Sequence, residues 1–498
     1  MRNWYSDVCL GEFDSERFNE DKSESNVDGI KCVIGGFLIH LFLGWVYLWG
    51  NISIYVSSYF YFHQGITKVN VAFSVMIAAQ GVCTIFGPFL LKRLGPTYWL
   101  CVGSSISLVG TFIASFMTNF YLYCIFYSAW FGIGVGCCYL VPVTCAWQYF
   151  PNHKGLVTGI IVGGFGFGSF IFSFLSTAII NPNNEKPDLR IDGGRIFTQQ
   201  HIIDKTPYML RFLVLVWTII VFISLFLIKG NPHKWEGAAE ESHKNELKLR
   251  LLEKSSEINL DDSSCKYKII EFLRERPNYA VLSFWEALLS TNTLLLWLMI
   301  CFSASYGMFM AHVYKYFGVI HINDDFFLTM VGSFGAVMNG GSRSIWSTLQ
   351  DKYSFKRIFG ILLIIQITLS GSLVSIASIG EGNSLGKPLY MIWICASFFC
   401  LGGHFSMFPT VTSRLYGVVT GSEVYGILFT SFSFATIGGR VLSDLLLDTY
   451  GYNIIFYILW GFSILSGILL CIFDMDKTNQ LKAEKIMKSH SVELSNRL

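Results

Sequence analysis

Asp325-Phe-Phe-Leu-Thr-Met-Val-Gly-Ser-Phe-Gly-Ala-Val-Met-Asn-Gly-Gly-Ser-Arg343-Ser-Ile-Trp-Ser-Thr-Leu-Gln350 decides how this chain is read. As a helix rising about 1.5 Å per residue, the stretch covers a hydrocarbon core of roughly 30 Å. Its interior holds one charge, Arg343. An arginine at that depth costs roughly 2.5–3.5 kcal/mol on insertion scales, so it reads as a functional charge facing an aqueous cavity. The stretch implies a membrane protein that handles an anion.

The rest of the chain agrees. Of 498 residues, 52% are hydrophobic and 14% are charged, against about 25% charged in soluble domains. Twelve apolar runs reach spanning length, at about 33–60, 70–91, 98–117, 120–146, 155–180, 210–229, 294–317, 326–349, 357–379, 388–411, 423–447 and 452–473. They are continuously apolar rather than alternating, which excludes a membrane barrel. The expected fold is an all-α membrane protein with twelve transmembrane helices. No nucleotide-binding loop, metal cluster or nucleophile–base constellation stands out, so an enzyme is not expected. The thirteen cysteines, Cys83, Cys137, Cys138, Cys301 and Cys400 among them, lack metal-ligand spacing and read as packing residues. No metal or other cofactor is expected, and no nucleic-acid partner; the chain reads as a monomer in a lipid bilayer.

Basic residues set the orientation. Lys92, Arg93, Lys154, the 229–276 loop, Lys352, Lys356, Arg357, Arg414 and the tail from Lys477 fall on one side, together with the amino terminus. That side is expected to be cytosolic, in the plasma membrane or an organelle membrane. Residues 181–211, with five positive charges, form an external excursion. The acidic start (Asp7, Glu12, Asp14, Glu16) does not resemble a targeting segment. The expected organisation is a tail over 1–32, a six-helix bundle over 33–229, a polar linker over 230–290, a second bundle over 291–474 and a tail over 475–498. Residues 244–257 of the linker have the composition of a surface helix or a solvated segment, and Phe284, Trp285 and Leu288 suggest a short interfacial helix. Gly136, Pro142, Tyr149 and Gly159 recur as Gly403, Pro409, Tyr416 and Gly426 at a constant offset of 267. The offset implies two parallel six-helix repeats about a midplane site, the arrangement of the major facilitator superfamily.

Gly44-Trp-Val-Tyr47-Leu-Trp49, Gly132-Ile-Gly-Val-Gly136-Cys-Cys-Tyr139, the run from Tyr149-Phe-Pro151 to Gly168, Gly340-Gly-Ser-Arg343-Ser-Ile-Trp346 with Asp351-Lys352, Gly402-Gly403…Phe408-Pro409 and Tyr425-Gly426 together resemble the oxalate/formate antiporter family, over essentially all twelve spans. The resemblance implies that Arg343 is the anion-binding arginine. By matching position, Tyr47, Gln80, Tyr139, Phe165, Leu401, Phe405 and Phe429 are substrate-binding candidates. Family members that carry the dianion oxalate have a lysine seven residues after the tyrosine of the Tyr-Gly pair, where this chain has Phe432. One cavity cation is replaced by a ring, which favours a monoanion.

Asn339 stands where related monocarboxylate transporters carry an aspartate four residues before the arginine. A titratable partner is thus missing. His40, His312 and His404 lie in or near spans, and His404 is the candidate for proton coupling. Arg440 and Asp444 read as an ion pair along one helix face. Lys92 departs from the acid usual in the superfamily's loop after the second span. Glycines 159, 163, 164, 166 and 168 read as small-residue packing seams, and Pro142 and Pro409 as kinks. The expected function is secondary transport of a small organic anion, a monocarboxylate of the pyruvate, lactate or formate type, by exchange or proton coupling. Carriage of amino acids or other small solutes, and a non-transporting sensor on the same fold, remain alternatives.

Overall fold

The computed structural model describes residues 15–230 and 282–481, except 67, 68, 70, 152, 184, 186, 192, 193, 323 and 380–384. The start of the first tail, the linker core 231–281 with its surface segment 244–257, and residues 482–498 lie outside the described residues. So do the side chains of Lys92 and His312.

Among the described residues, eleven helices are long and apolar enough to cross a membrane: Val27–Gln64, Val71–Leu91, Pro96–Ala114, Phe120–Tyr149, Lys154–Ile180, Gln200–Leu227, Thr291–Ala311, Phe355–Ile379, Gly386–Tyr416, Val418–Leu447 and Thr449–Ile472. The remaining span, eighth in order, is Asp325–Lys352. It is long enough but more polar than expected, because Asn339, Ser342, Arg343, Ser347 and Gln350 all turn inward and are buried by protein. Phe334 and Ile345, about half exposed, form its outer face. Spans one and six begin earlier than their apolar runs, since a helix continues past the hydrocarbon boundary wherever nothing stops it. Spans eleven and twelve are separated at Gly451, whose φ of 70° no side-chain-bearing residue adopts easily.

Among the described residues, the only strands are Leu189–Ile191 and Gly194–Ile196, an antiparallel pair. They lie within the segment 181–211. The Phe197 amide donates to Ser58 Oγ at 2.9 Å, and its ring stacks on Tyr55 at 5.3 Å. Asp188 closes the hairpin base by accepting from the hydroxyl and amide of Thr198. These bonds, the hydroxyl first, hold its carboxyl below the ordinary range. The interfacial helix expected near Trp285 is present as Phe284–Leu288 and starts with a Ser283–Glu286 capping box.

Glycines decide which spans touch. A Cβ on Gly159 would lie 2.5 Å from Ser344 Cα of span eight, and one on Gly166 would lie 2.5 Å from Gly340 Cα. Gly164 and Gly168 press instead on Phe37 O and Leu41 O of span one. Span five is therefore gripped on two faces, as small-residue seams allow. The repeat obeys the same rule: Gly159 meets span eight, and its counterpart Gly426 meets Thr84 O and Ile85 of span two. Gly168→Val, whose Cβ would fall 2.0 Å from Leu41 O, is expected to destabilise the fold by about 1–3 kcal/mol or more. A lowered unfolding temperature in detergent checks this.

The prolines differ from each other. Span four loses helix at Tyr139–Leu140, just before Pro142, whereas Gly386–Tyr416 runs unbroken through Pro409. Tyr139 and Leu140 sit at a break in span four; a proline alone removes only one helical bond. Leu215, Ile219, Phe222 and Phe226 of span six form an exposed stripe at helical spacing. Such a stripe suits a helix whose outer face meets lipid.

Candidate functional site

Arg343 is fully buried. Its Nε and Nη2 donate to Asn339 Oδ1 at 3.2 and 2.7 Å, and Nη1 donates to Val162 O of span five at 2.9 Å. Every one of these acceptors is neutral. None of the ion pairs among the described residues includes Arg343. Of five guanidinium hydrogens, these bonds use three, and the Tyr47 and Tyr139 hydroxyls lie near the guanidinium as further neutral acceptors. The guanidinium carbon lies 4.7 Å from the Phe405 ring centre and 5.4 Å from that of Phe165.

These residues line one cavity with Val46, Tyr47, Ile77, Gln80, Tyr139, Met308, Phe429 and Phe432. Its walls come from spans one, two, four, five, seven, eight, ten and eleven, drawn from both repeats. The rings interlock: Tyr47 is 5.2 Å from Phe165, Tyr139 is 5.2 Å from Phe429, and Phe405 stacks on Phe432 at 4.5 Å and 12°. Phe432 is thus part of the stack. Gln80 Oε1 is buried without a hydrogen-bond partner of good geometry, and the buried hydroxyls of Tyr139 and Tyr425 neighbour each other.

Two candidates are not brought in. Leu401 packs against Gly307 and does not line the cavity. His404 is fully buried with both ring nitrogens engaged, by Cys400 O at 3.0 Å and Ser303 Oγ at 2.8 Å, and Phe359 and Phe408 flank it. Those bonds satisfy it as a packing histidine. Arg440 and Asp444 do pair, at 2.9 Å, on an exposed face, where such a pair contributes little. Val46, Ile77 and Met308 were not anticipated, because an apolar residue in an apolar span carries no signal.

Five site residues follow a glycine by three positions: Gly44–Tyr47, Gly136–Tyr139, Gly340–Arg343, Gly402–Phe405 and Gly426–Phe429. Residues i and i+3 share a helix face. Each of these glycines meets a neighbouring span's backbone or hydroxyl at 2.1–3.0 Å from its ideal Cβ, so the chains close there and the next turn projects its side chain into the space between them. In span one the approach coincides with a tightened segment, Gly44–Leu48.

One end of this seam carries a separate contact, centred on Asp351. Asp351 accepts from the Gly155 and Leu156 amides, at 3.0 and 2.8 Å, at the start of span five. Arg414 Nη2 pairs with the same carboxylate at 2.5 Å. The carboxylate suits the positive end of that helix and ties the two repeats together. Asp351→Asn is expected to weaken the tie by a charged hydrogen bond, about 1.5–3 kcal/mol. Amide hydrogen exchange at Gly155 and Leu156 should then speed up at least tenfold; unchanged exchange would remove Asp351 from this role.

Two helical repeats about one shared cavity define a membrane transporter rather than an enzyme. The chain belongs to the Major Facilitator Superfamily, whose family description matches residues 33–422. It is 26% identical to apicoplast pyruvate carrier 1 of Toxoplasma gondii over 90% of this chain and 87% of that protein. It is 24% identical to the oxalate:formate antiporter of Oxalobacter formigenes, over 79% of each, and 21% identical to monocarboxylate transporter 14 of Mus musculus, over 91% and 92%. Among solved structures it is similar in fold to the proton:xylose symporter XylE, with a TM-score of 0.62 at 12% identity, covering 89% of this chain and 95% of that one.

Proposed function

We propose that this chain carries a small monocarboxylate of the pyruvate, lactate or formate type by alternating access, with both termini on the cytosolic face. The observation that carries this reading is Arg343, fully buried with neutral partners. A guanidinium so placed keeps its full charge for a ligand, and its planar fork matches a carboxylate. Flanking rings suit a small planar acid and shed water from the pair. No carboxylate is among the described lining residues, so an amino acid's ammonium would find no counter-charge among them, which weighs against amino-acid carriage. The similar proteins named for pyruvate, monocarboxylates and oxalate:formate exchange support the same class. Phe432 favours one negative charge over two.

Uptake of labelled pyruvate, lactate, formate and oxalate into proteoliposomes tests the reading. Saturable uptake of monoacids, competed weakly by oxalate, is expected. No saturable uptake of any of them, or a preference for oxalate, would overturn it.

A further inference from the structure

We propose that His40 receives the proton that accompanies the anion, which makes this carrier a proton symporter; the inference rests on the monocarboxylate reading above. His40 lies on span one and is fully buried. Its Nδ1 is 2.9 Å from Gly36 O. A carbonyl can only accept, so in the neutral ring the proton sits on Nδ1 and the lone pair on Nε2. Nε2 is buried and makes no hydrogen bond of good geometry, with the backbone of Tyr139 beside the ring. His404 has no such spare nitrogen.

The ring meets Tyr139 edge-on at 5.1 Å, and Tyr139 lines the cavity with Arg343. His40 therefore stands one side chain behind the anion site. The groups that face it are few. Span four supplies Tyr139, a neutral phenol; span eight supplies Arg343, which lines the cavity beside Tyr139; span five presents Gly164, which carries nothing titratable. Tyr47 lies further along span one itself. None of these facing groups is a carboxylate.

Two cations this close in a low-dielectric interior repel. With the cavity empty, burial first and the Arg343 charge with it oppose a proton on His40. A bound carboxylate cancels that charge, and Nε2 can then accept a proton from water at the open side. Reciprocity makes the coupling mutual: the proton strengthens anion binding by the factor by which the anion strengthens proton binding. The loaded site carries Arg343, the anion and one proton, a net charge of +1, equal to that of the empty site. Both the loaded and the returning transitions thus move the same charge, and on the far side the anion and proton leave together.

The test is a pH-indicator measurement on purified protein in weak buffer. Adding saturating pyruvate to the wild type should draw up to one proton per protein, and pyruvate affinity should rise as pH falls, by up to tenfold per unit. H40N, which can keep the Gly36 bond, should take up none and bind pyruvate with affinity independent of pH. H404N should behave as wild type. Proton uptake retained in H40N, or pyruvate binding to the wild type without proton uptake, overturns the assignment to His40. A wild type that binds no pyruvate overturns the transport reading itself, and this proposal with it. If H40N does not fold, nitrogen-15 spectra of the wild type report the same event: Nε2 of His40 must become protonated on pyruvate addition, and an unshifted signal refutes the proposal.

Discussion

Arg343→Gln is expected to abolish saturable monocarboxylate uptake while the protein still folds and inserts. Glutamine can replace one donor to Asn339 or Val162 O, the neutral acceptors that Arg343 uses now, so the seam between spans five and eight keeps a bond. What disappears is the only formal positive charge among the described lining residues. Removing one member of a buried charge pair costs about 2–5 kcal/mol, or roughly thirty-fold to several thousand-fold in affinity. Arg343→Lys keeps the charge and loses the fork; it should bind more weakly than wild type and better than the glutamine variant. The order arginine, lysine, glutamine in uptake, at equal amounts of inserted protein, is the result to look for. Near-normal uptake by the glutamine variant would show that Arg343 only ties helices together.

Phe432→Lys is the converse experiment, adding a cation where Phe432 now stacks on Phe405. It should improve oxalate binding relative to pyruvate by about one charge-assisted contact, on the order of 1.5–3 kcal/mol before desolvation is deducted. Competition of labelled pyruvate by oxalate, in wild type and variant, measures the shift. If oxalate already competes as well as pyruvate in the wild type, charge count does not select the substrate.

The fold was legible because lipid imposes one rule on every span, and twelve apolar runs leave few alternatives. The repeat was legible too, since Gly159 and Gly426 do equivalent work on spans eight and two. Aromatic site residues were harder. In a chain with 44 phenylalanines, Phe405 and Phe408 look alike by composition, yet Phe405 lines the cavity while Phe408 packs against Phe359 and Phe355. The glycine three residues earlier distinguishes them, and that signal becomes readable once the crossing spans are known. His40 and His404 posed the same difficulty. Both are buried and both bond the carbonyl four residues before; only the three-dimensional neighbours of the second nitrogen separate them.

The seams of glycine have a mechanical consequence. Where helices meet backbone to backbone, one can roll against the other without any side chain leaving its rotamer well, so the midplane acts as a fulcrum of low friction. The resistance to rocking is then concentrated at the lever ends, where Asp351 holds the start of span five. A side chain introduced at the fulcrum would be felt far beyond its own contacts, because it would turn a lever into a clamp.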